Sequence, residues 1–87
     1  VERDLERKLI AFVKNQGGEI RKVQWIGRRG APDRLIFYPG HTIWVELKNG
    51  TKGRLSMLQR REILLMKRLG LHVEVIRYEH EFWRVHS

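Results

Sequence analysis

Two apolar runs separated by Pro39-Gly40 constrain the fold of this chain more than any other feature. Arg34-Leu35-Ile36-Phe37-Tyr38 lies on one side, and residues 42–48, centred on Ile43, Trp44 and Val45, lie on the other. Both are of strand length and rich in β-branched and aromatic residues, which suit a pleated, half-buried surface. Pro-Gly marks a turn, and so short a connection predicts an antiparallel hairpin.

The rest of the chain reads as elements around that hairpin. Residues 2–15 predict a helix with Leu5, Leu9, Phe12 and Val13 on one stripe, ended by Gly17-Gly18. Residues 19–26 predict a strand, and Gly27-Arg28-Arg29-Gly30 a basic loop. Residues 49–54 predict a flexible loop. A second helix is expected from near Ser56, with Leu58, Leu65, Met66 and Leu69 as its apolar face and Gly70 as its stop. Leu71, Val73 and Val75 alternate with His72 and Glu74, which predicts a strand. The tail, with Phe82, Trp83 and Val85, is expected to add an edge strand or to pack on the core. The order α-β-β-β-α-β predicts a two-layer α/β domain with a mixed sheet. At 87 residues, the whole of 1–87 reads as one domain with a modest core.

Charge narrows the partners. Eighteen Lys and Arg face ten acids, a net charge of +8. Such an imbalance favours a polyanion, and nucleic acid is the commonest one. Membrane binding would need a basic amphipathic helix with a clean apolar face, or an anchor. Neither is visible, and no apolar run approaches transmembrane length. The absence of cysteine excludes disulfides and thiolate metal sites. A chain charged from its second residue shows no signal peptide. The expectation is a cytoplasmic, DNA-associated protein with no membrane partner.

Within the predicted hairpin, Asp33 precedes one strand while Glu46 and Lys48 end the other. Glu46 and Lys48 are two apart on a strand and so share a face. A hairpin turning near Pro39-Gly40 puts Asp33 and Glu46 at matching heights. Leu47 faces the core, and its backbone carbonyl is a candidate third oxygen. Two carboxylates can hold a divalent cation, and a neighbouring ammonium can steady a phosphate. Phosphodiester hydrolysis needs an activated water and neutralised charge on phosphorus, which such a cation and Lys48 would supply. Taken singly, each residue is ordinary: Asp after Pro suits a turn, and Glu-x-Lys suits a solvated strand edge. Their joint placement at the end of an apolar strand is what points to chemistry.

Pro32-Asp33, twelve intervening residues and then Glu46-x-Lys48 resemble the PD-(D/E)xK nuclease superfamily. The fuller string is similar to the virus-type replication-repair nuclease (VRR-NUC) domain. It runs Gly27-Arg28-Arg29-Gly30-Ala31-Pro32-Asp33, then Val45-Glu46-Leu47-Lys48, then Gly53-Arg54-Leu55-Ser56-x-x-Gln59. The likeness spans nearly the whole chain. It implies a restriction-endonuclease-like fold and a Mg²⁺- or Mn²⁺-dependent endonuclease. Asp33 and Glu46 would be metal ligands and Lys48 the catalytic lysine. A glutamate of the first helix would complete the site: Glu2 and Glu6, four apart, share a helical face, and Glu6, beside the apolar stripe, is preferred. Gln59 matches a family glutamine near the active site, and Ser56-x-x-Gln59 is also a capping box. Small stand-alone members are similar to Holliday-junction resolvases and act as homodimers. The resemblance therefore implies a four-way DNA junction as substrate, a homodimer, a 5′-phosphate product, and a bacterial or phage-infected cell.

Arg28, Arg29, Arg34, Lys52 and Arg54 flank the acidic centre and are expected to contact phosphates, which positions a backbone without reading sequence. Arg60 and Arg61 at the start of the second helix could join them, though for Arg60, Arg61, Lys67 and Arg68 a solvated surface is a serious alternative. Trp25, Trp44 and Trp83 are expected in the core or a dimer interface. The four histidines show no metal-ligand spacing. Two alternatives stand beside the resolvase: a non-catalytic DNA-binding module, and a nuclease that nicks flaps or ends. The module leaves unexplained why acids would gather where a polyanion binds.

Overall fold

The computed structural model describes residues 3–87. Helix α1 (Arg3–Asn15) buries Leu5, Leu9 and Val13, one residue per turn along a single stripe. It stops where the Gly18 N–H returns to the Val13 carbonyl, with Gly17 at a φ of +79°, a left-handed conformation that glycine adopts without strain. Four strands follow: β1 (Glu19–Lys22), β2 (Arg34–Tyr38), β3 (His41–Leu47) and β4 (Val73–Ile76). Helix α2 (Met57–Arg68) lies between β3 and β4. A 3₁₀ helix (Glu79–Val85) follows β4.

The sheet order is β1-β2-β3-β4. The first three strands are antiparallel, and β4 runs parallel to β3. A parallel neighbour needs a crossover, and α2 supplies it. In the hairpin Tyr38 pairs with His41 and Arg34 with Val45, so the predicted turn at Pro39-Gly40 is present.

Alternation along the strands divides the core in two. Ile36, Tyr38, Ile43, Val45, Leu47 and Ile76 face α1 and the 3₁₀ helix, packing with Leu5, Leu9, Val13, Phe82 and Val85. On the other face Val73, with Trp44 and Val75 beside it, packs against Ile63 and Met66 of α2. The expected α/β fold with a mixed sheet is observed, and its helices are shared between the two faces rather than gathered on one.

One strand and one helix face differ from expectation: α2 buries Ile63 and Met66, while Leu58 and Leu69 of the expected face are 45% and 69% exposed. Strand β1 ends at Lys22 instead of continuing to residue 26. Beyond it the Trp25 indole N–H donates to the Pro32 carbonyl (2.9 Å), and Ile26 is 96% exposed. The tail forms the 3₁₀ helix, with Phe82 and Val85 in the core and Trp83 turned outward at 65% exposure. The Tyr38 hydroxyl donates to the Val85 carbonyl (2.6 Å), which ties the tail to the hairpin. Among the described residues no helix is long and apolar enough to cross a membrane.

Candidate active site at the open end of the β2–β3 hairpin

The last paired residues of the hairpin, Arg34 and Val45, fix what lies beyond them. One further step of the same register puts Asp33 opposite Glu46, and another puts Pro32 opposite Leu47. The Asp33 backbone is held by the Val23 N–H, which donates to its carbonyl (2.8 Å). Asp33, Glu46 and Lys48 fall on the α2 face of the sheet, opposite to Val45 and Leu47. Their side chains are 48%, 12% and 17% exposed.

Glu46 is gripped through one oxygen. The Gln59 side-chain amide donates to Oε2 (3.1 Å), and Lys48 Nζ lies 3.8 Å from the same atom. Gln59 is aimed by its position in α2. Its Oε1 accepts from the Ser56 N–H (2.9 Å), while its own N–H donates to Ser56 Oγ (3.1 Å). The capping box and the contact to Glu46 therefore coexist. The start of α2 is held close by Gly30, which sits at a φ of +84°. A Cβ there would meet the Leu58 carbonyl at 2.7 Å, so only glycine fits.

Burial pushes the Glu46 carboxyl above its ordinary value, and the neighbouring Asp33 charge adds to this, against the opposing pull of Lys48 and Arg34. A buried carboxylate of this kind is short of positive charge. The Leu47 carbonyl is oriented by its peptide plane. The Lys48 N–H donates to Ile76 on the β4 side (3.0 Å), so the trans carbonyl of that same peptide points toward β2. Its register partner there is Pro32, which has no N–H to offer.

The structure thus brings together Asp33, Glu46, Lys48, Gln59 and the Leu47 carbonyl. Glu6 is reached differently. It lies on α1, on the other side of the sheet, and its Oε2 accepts from Arg34 Nε (2.7 Å) and from Nη2. Arg34 Nη1 in turn meets Asp33 Oδ1 (2.8 Å). Among the described residues no group of three or more carboxylates and histidines is gathered as a metal cluster. Glu2 lies outside the described residues.

The basic residues separate into distinct roles. Arg29, Lys52 and Arg54 are exposed, as phosphate contacts require. Arg34 is not: its side chain is 7% exposed and committed to Glu6 and Asp33, which corrects its expected role at the surface. Strand alternation carried that signal, since Arg34 shares a face with Ile36 and Tyr38. Arg28 is half exposed and pairs with Glu62 of α2 (Nε to Oε1, 2.7 Å). The Arg28 hydrogen bond holds the Glu62 carboxyl below its ordinary value. Glu62 and Arg77 escaped the sequence reading. Arg77 donates through Nη1 to the carbonyls of Gly50 (2.9 Å) and Gly53, which ties down the loop after Lys48. A lone cation 24 residues from that loop gives no local sign of such a bond.

Two open depressions share Arg28, and one of them reaches Asp33. One, of about 620 Å³, is lined by Lys22, Trp25, Arg28 and Asp33 among others. The other, of about 790 Å³, runs between the basic glycine loop and α2, with Arg28, Arg29, Arg61 and Arg68 in its lining. Arg61 and Arg68 are seven apart, two helical turns, and so share a face. Arg60 and Lys67 are not part of this lining.

No family model matches this chain, and no curated protein matches it. A solved structure described as a VRR_NUC domain does. It superposes with a TM-score of 0.88 at 27% sequence identity, covering 97% of this chain and 91% of the other. The shared architecture extends over essentially the whole sheet and its helices. This chain shares the fold of a VRR_NUC domain, a fold of nuclease type.

Proposed function

We propose that this domain is a divalent-metal-dependent endonuclease that hydrolyses phosphodiester bonds in branched DNA. Its substrate on this reading is a four-way junction, cut by a homodimer. The observation that carries the reading is the joint placement of Asp33, Glu46 and Lys48 on one face at the end of the hairpin.

The residues fit a hard cation. Two carboxylates and the Leu47 carbonyl, whose register partner is Pro32, offer three oxygens, and Mg²⁺ is commonly held by one or two carboxylates with water completing its shell. The raised Glu46 carboxyl is what such a cation would relieve. Asp33, Glu46 and Leu47 would hold Mg²⁺ or Mn²⁺. When bound, the ion supplies positive charge to the phosphate and acidifies water at neutral pH.

The remaining chemistry belongs to the chain. Lys48 is largely buried beside Glu46, so its ammonium stays close to the position where charge grows on phosphorus. Gln59 fixes one oxygen of Glu46 and leaves the other free. Arg29, Lys52, Arg54, Arg61 and Arg68 give a basic surface on the loops and along α2, suited to a phosphate backbone. A four-way junction presents two symmetric cleavage points, which suits a two-fold homodimer. A purely DNA-binding module would leave Glu46 buried and close to a second acid with no compensating role.

The test is cleavage of a synthetic four-way junction, with duplex, flap and single-strand controls, in Mg²⁺, Mn²⁺ or EDTA. Wild type and Asp33→Ala would be compared. Paired incisions lost in EDTA and in the variant are the expected result. Metal-dependent cutting of another structure would move the substrate and keep the site. Tight binding without cutting would overturn the nuclease reading.

A further inference from the structure

We infer that Glu6 and Arg34 are positioning residues for Asp33, a partly buried ion pair that orients one metal-binding carboxylate without cancelling its charge. The inference rests on the reading of Asp33 as a metal ligand, and it gives the helix-1 acid a role other than direct ligation.

Arg34 stands on the core face of β2 with Ile36 and Tyr38, its side chain only 7% exposed. A charged head in that position must be paired. It has two partners from two elements. Nε and Nη2 both reach Glu6 Oε2 on α1, and Nη1 reaches Asp33 Oδ1 at the start of β2. The rigid planar fork of a guanidinium can serve both at once, whereas the single head of a lysine cannot.

Asp33 needs such a hold. It precedes the first paired residue of β2, and its side chain is 48% exposed, so packing alone does not fix its rotamer. The bond to Oδ1 leaves Oδ2 for a cation. Arg34 by itself, however, would set a full positive charge against the site and oppose any cation there. Glu6 balances that charge. The trio carries the net charge of Asp33 alone, now in a fixed orientation. The same bonds couple the docking of α1, on one face of the sheet, to acids that work on the other.

The test is Mn²⁺ affinity, read from free Mn²⁺ by electron paramagnetic resonance, without DNA or turnover. Wild type, Arg34→Met, Glu6→Gln, the double variant and Arg34→Lys would be compared. Arg34→Met is expected to weaken Mn²⁺ binding by about 10- to 100-fold, as loss of a partner behind a metal ligand commonly does. Glu6→Gln is expected to weaken it several-fold by unmasking Arg34, and to cost little more once Arg34 is gone. Arg34→Lys should fall between wild type and Arg34→Met. Wild-type affinity in Arg34→Met would overturn the inference. So would a Glu6→Gln loss of equal size in both backgrounds, the signature of a direct ligand. Arg34→Met leaves Glu6 without its partner. If it does not fold, by circular dichroism, Arg34→Lys decides alone, and wild-type affinity there overturns the inference. Failure of the wild-type protein to bind Mn²⁺ would instead refute the metal reading itself.

Discussion

Gln59 joins two roles that a sequence cannot separate. Its backbone and Oε1 close the capping box with Ser56, while Nε2 holds Glu46. Substitution can separate them. Ser56→Ala removes the acceptor for the Gln59 N–H and is expected to cost about 1 kcal/mol of stability, with the cleavage rate kept. Gln59→Ala should cost similar stability and in addition free Glu46 Oε2, lowering the single-turnover rate by about tenfold or more. Melting temperatures and rates of the two variants, measured together, check this. Equal rates would reduce Gln59 to a cap. At this scale Asp33, Glu46 and Lys48 were legible, because strand alternation and a short turn determine which residues meet. The inward turn of Arg34 was legible by the same rule but was masked by its neighbours Arg28 and Arg29, which do lie at the surface.

The hairpin and both helices were read from periodicity and turn residues, and their caps fell where Ser56, Gly17 and Gly70 placed them, but the face that α2 buries is that of Ile63 and Met66 rather than that of Leu58 and Leu69. The tail was not resolved into one alternative. Phe82 and Val85 are three apart, the repeat of a 3₁₀ turn, but one such pair is too short a signal to exclude a strand. What decides is Glu81, whose Oε1 accepts the N–H groups of Arg77 (2.7 Å) and Tyr78 (3.0 Å) and closes the turn. Burial by itself would raise the Glu81 carboxyl, yet these two donors outweigh it and hold it below its ordinary value of 4.5. A carboxyl depressed by folding contributes stability above that ordinary value and loses it as pH falls through the folded one. Glu81→Gln keeps an acceptor oxygen without the charge. It should lose about 1 kcal/mol at neutral pH, the excess of a charge-assisted bond over a neutral one. Thermal melts at pH 7 and pH 3 test this. The gap between wild type and variant should narrow in acid, and a constant gap would contradict the assignment. Strand β1 was overread for a related reason: the Trp25 indole binds the Pro32 carbonyl and turns the chain away, a contact made across seven residues that no local pattern announces.

For the molecule as a whole, the sheet carries a helical layer on each face and the acidic centre at one end between them. Each layer contributes: α2 brings Gln59, and α1 brings Glu6 through Arg34. The excess positive charge was plain from composition, but its distribution was not. Arg60, Arg61, Lys67 and Arg68 are near neighbours in sequence, and only the position of the glycine loop against α2 assigns Arg61 and Arg68 to the groove.

The most direct test of the central claim is the single-turnover rate of four-way-junction cleavage in Mg²⁺ by Lys48→Met, with junction binding followed alongside. Methionine keeps an apolar stem of similar length and removes only the ammonium. The rate is expected to fall by about 10²-fold or more, the scale of removing one preorganised charge-stabilising group, with junction binding largely kept by the surface cations. Cleavage at the wild-type rate would mean that the face shared by Asp33, Glu46 and Lys48 is not where the bond is cut.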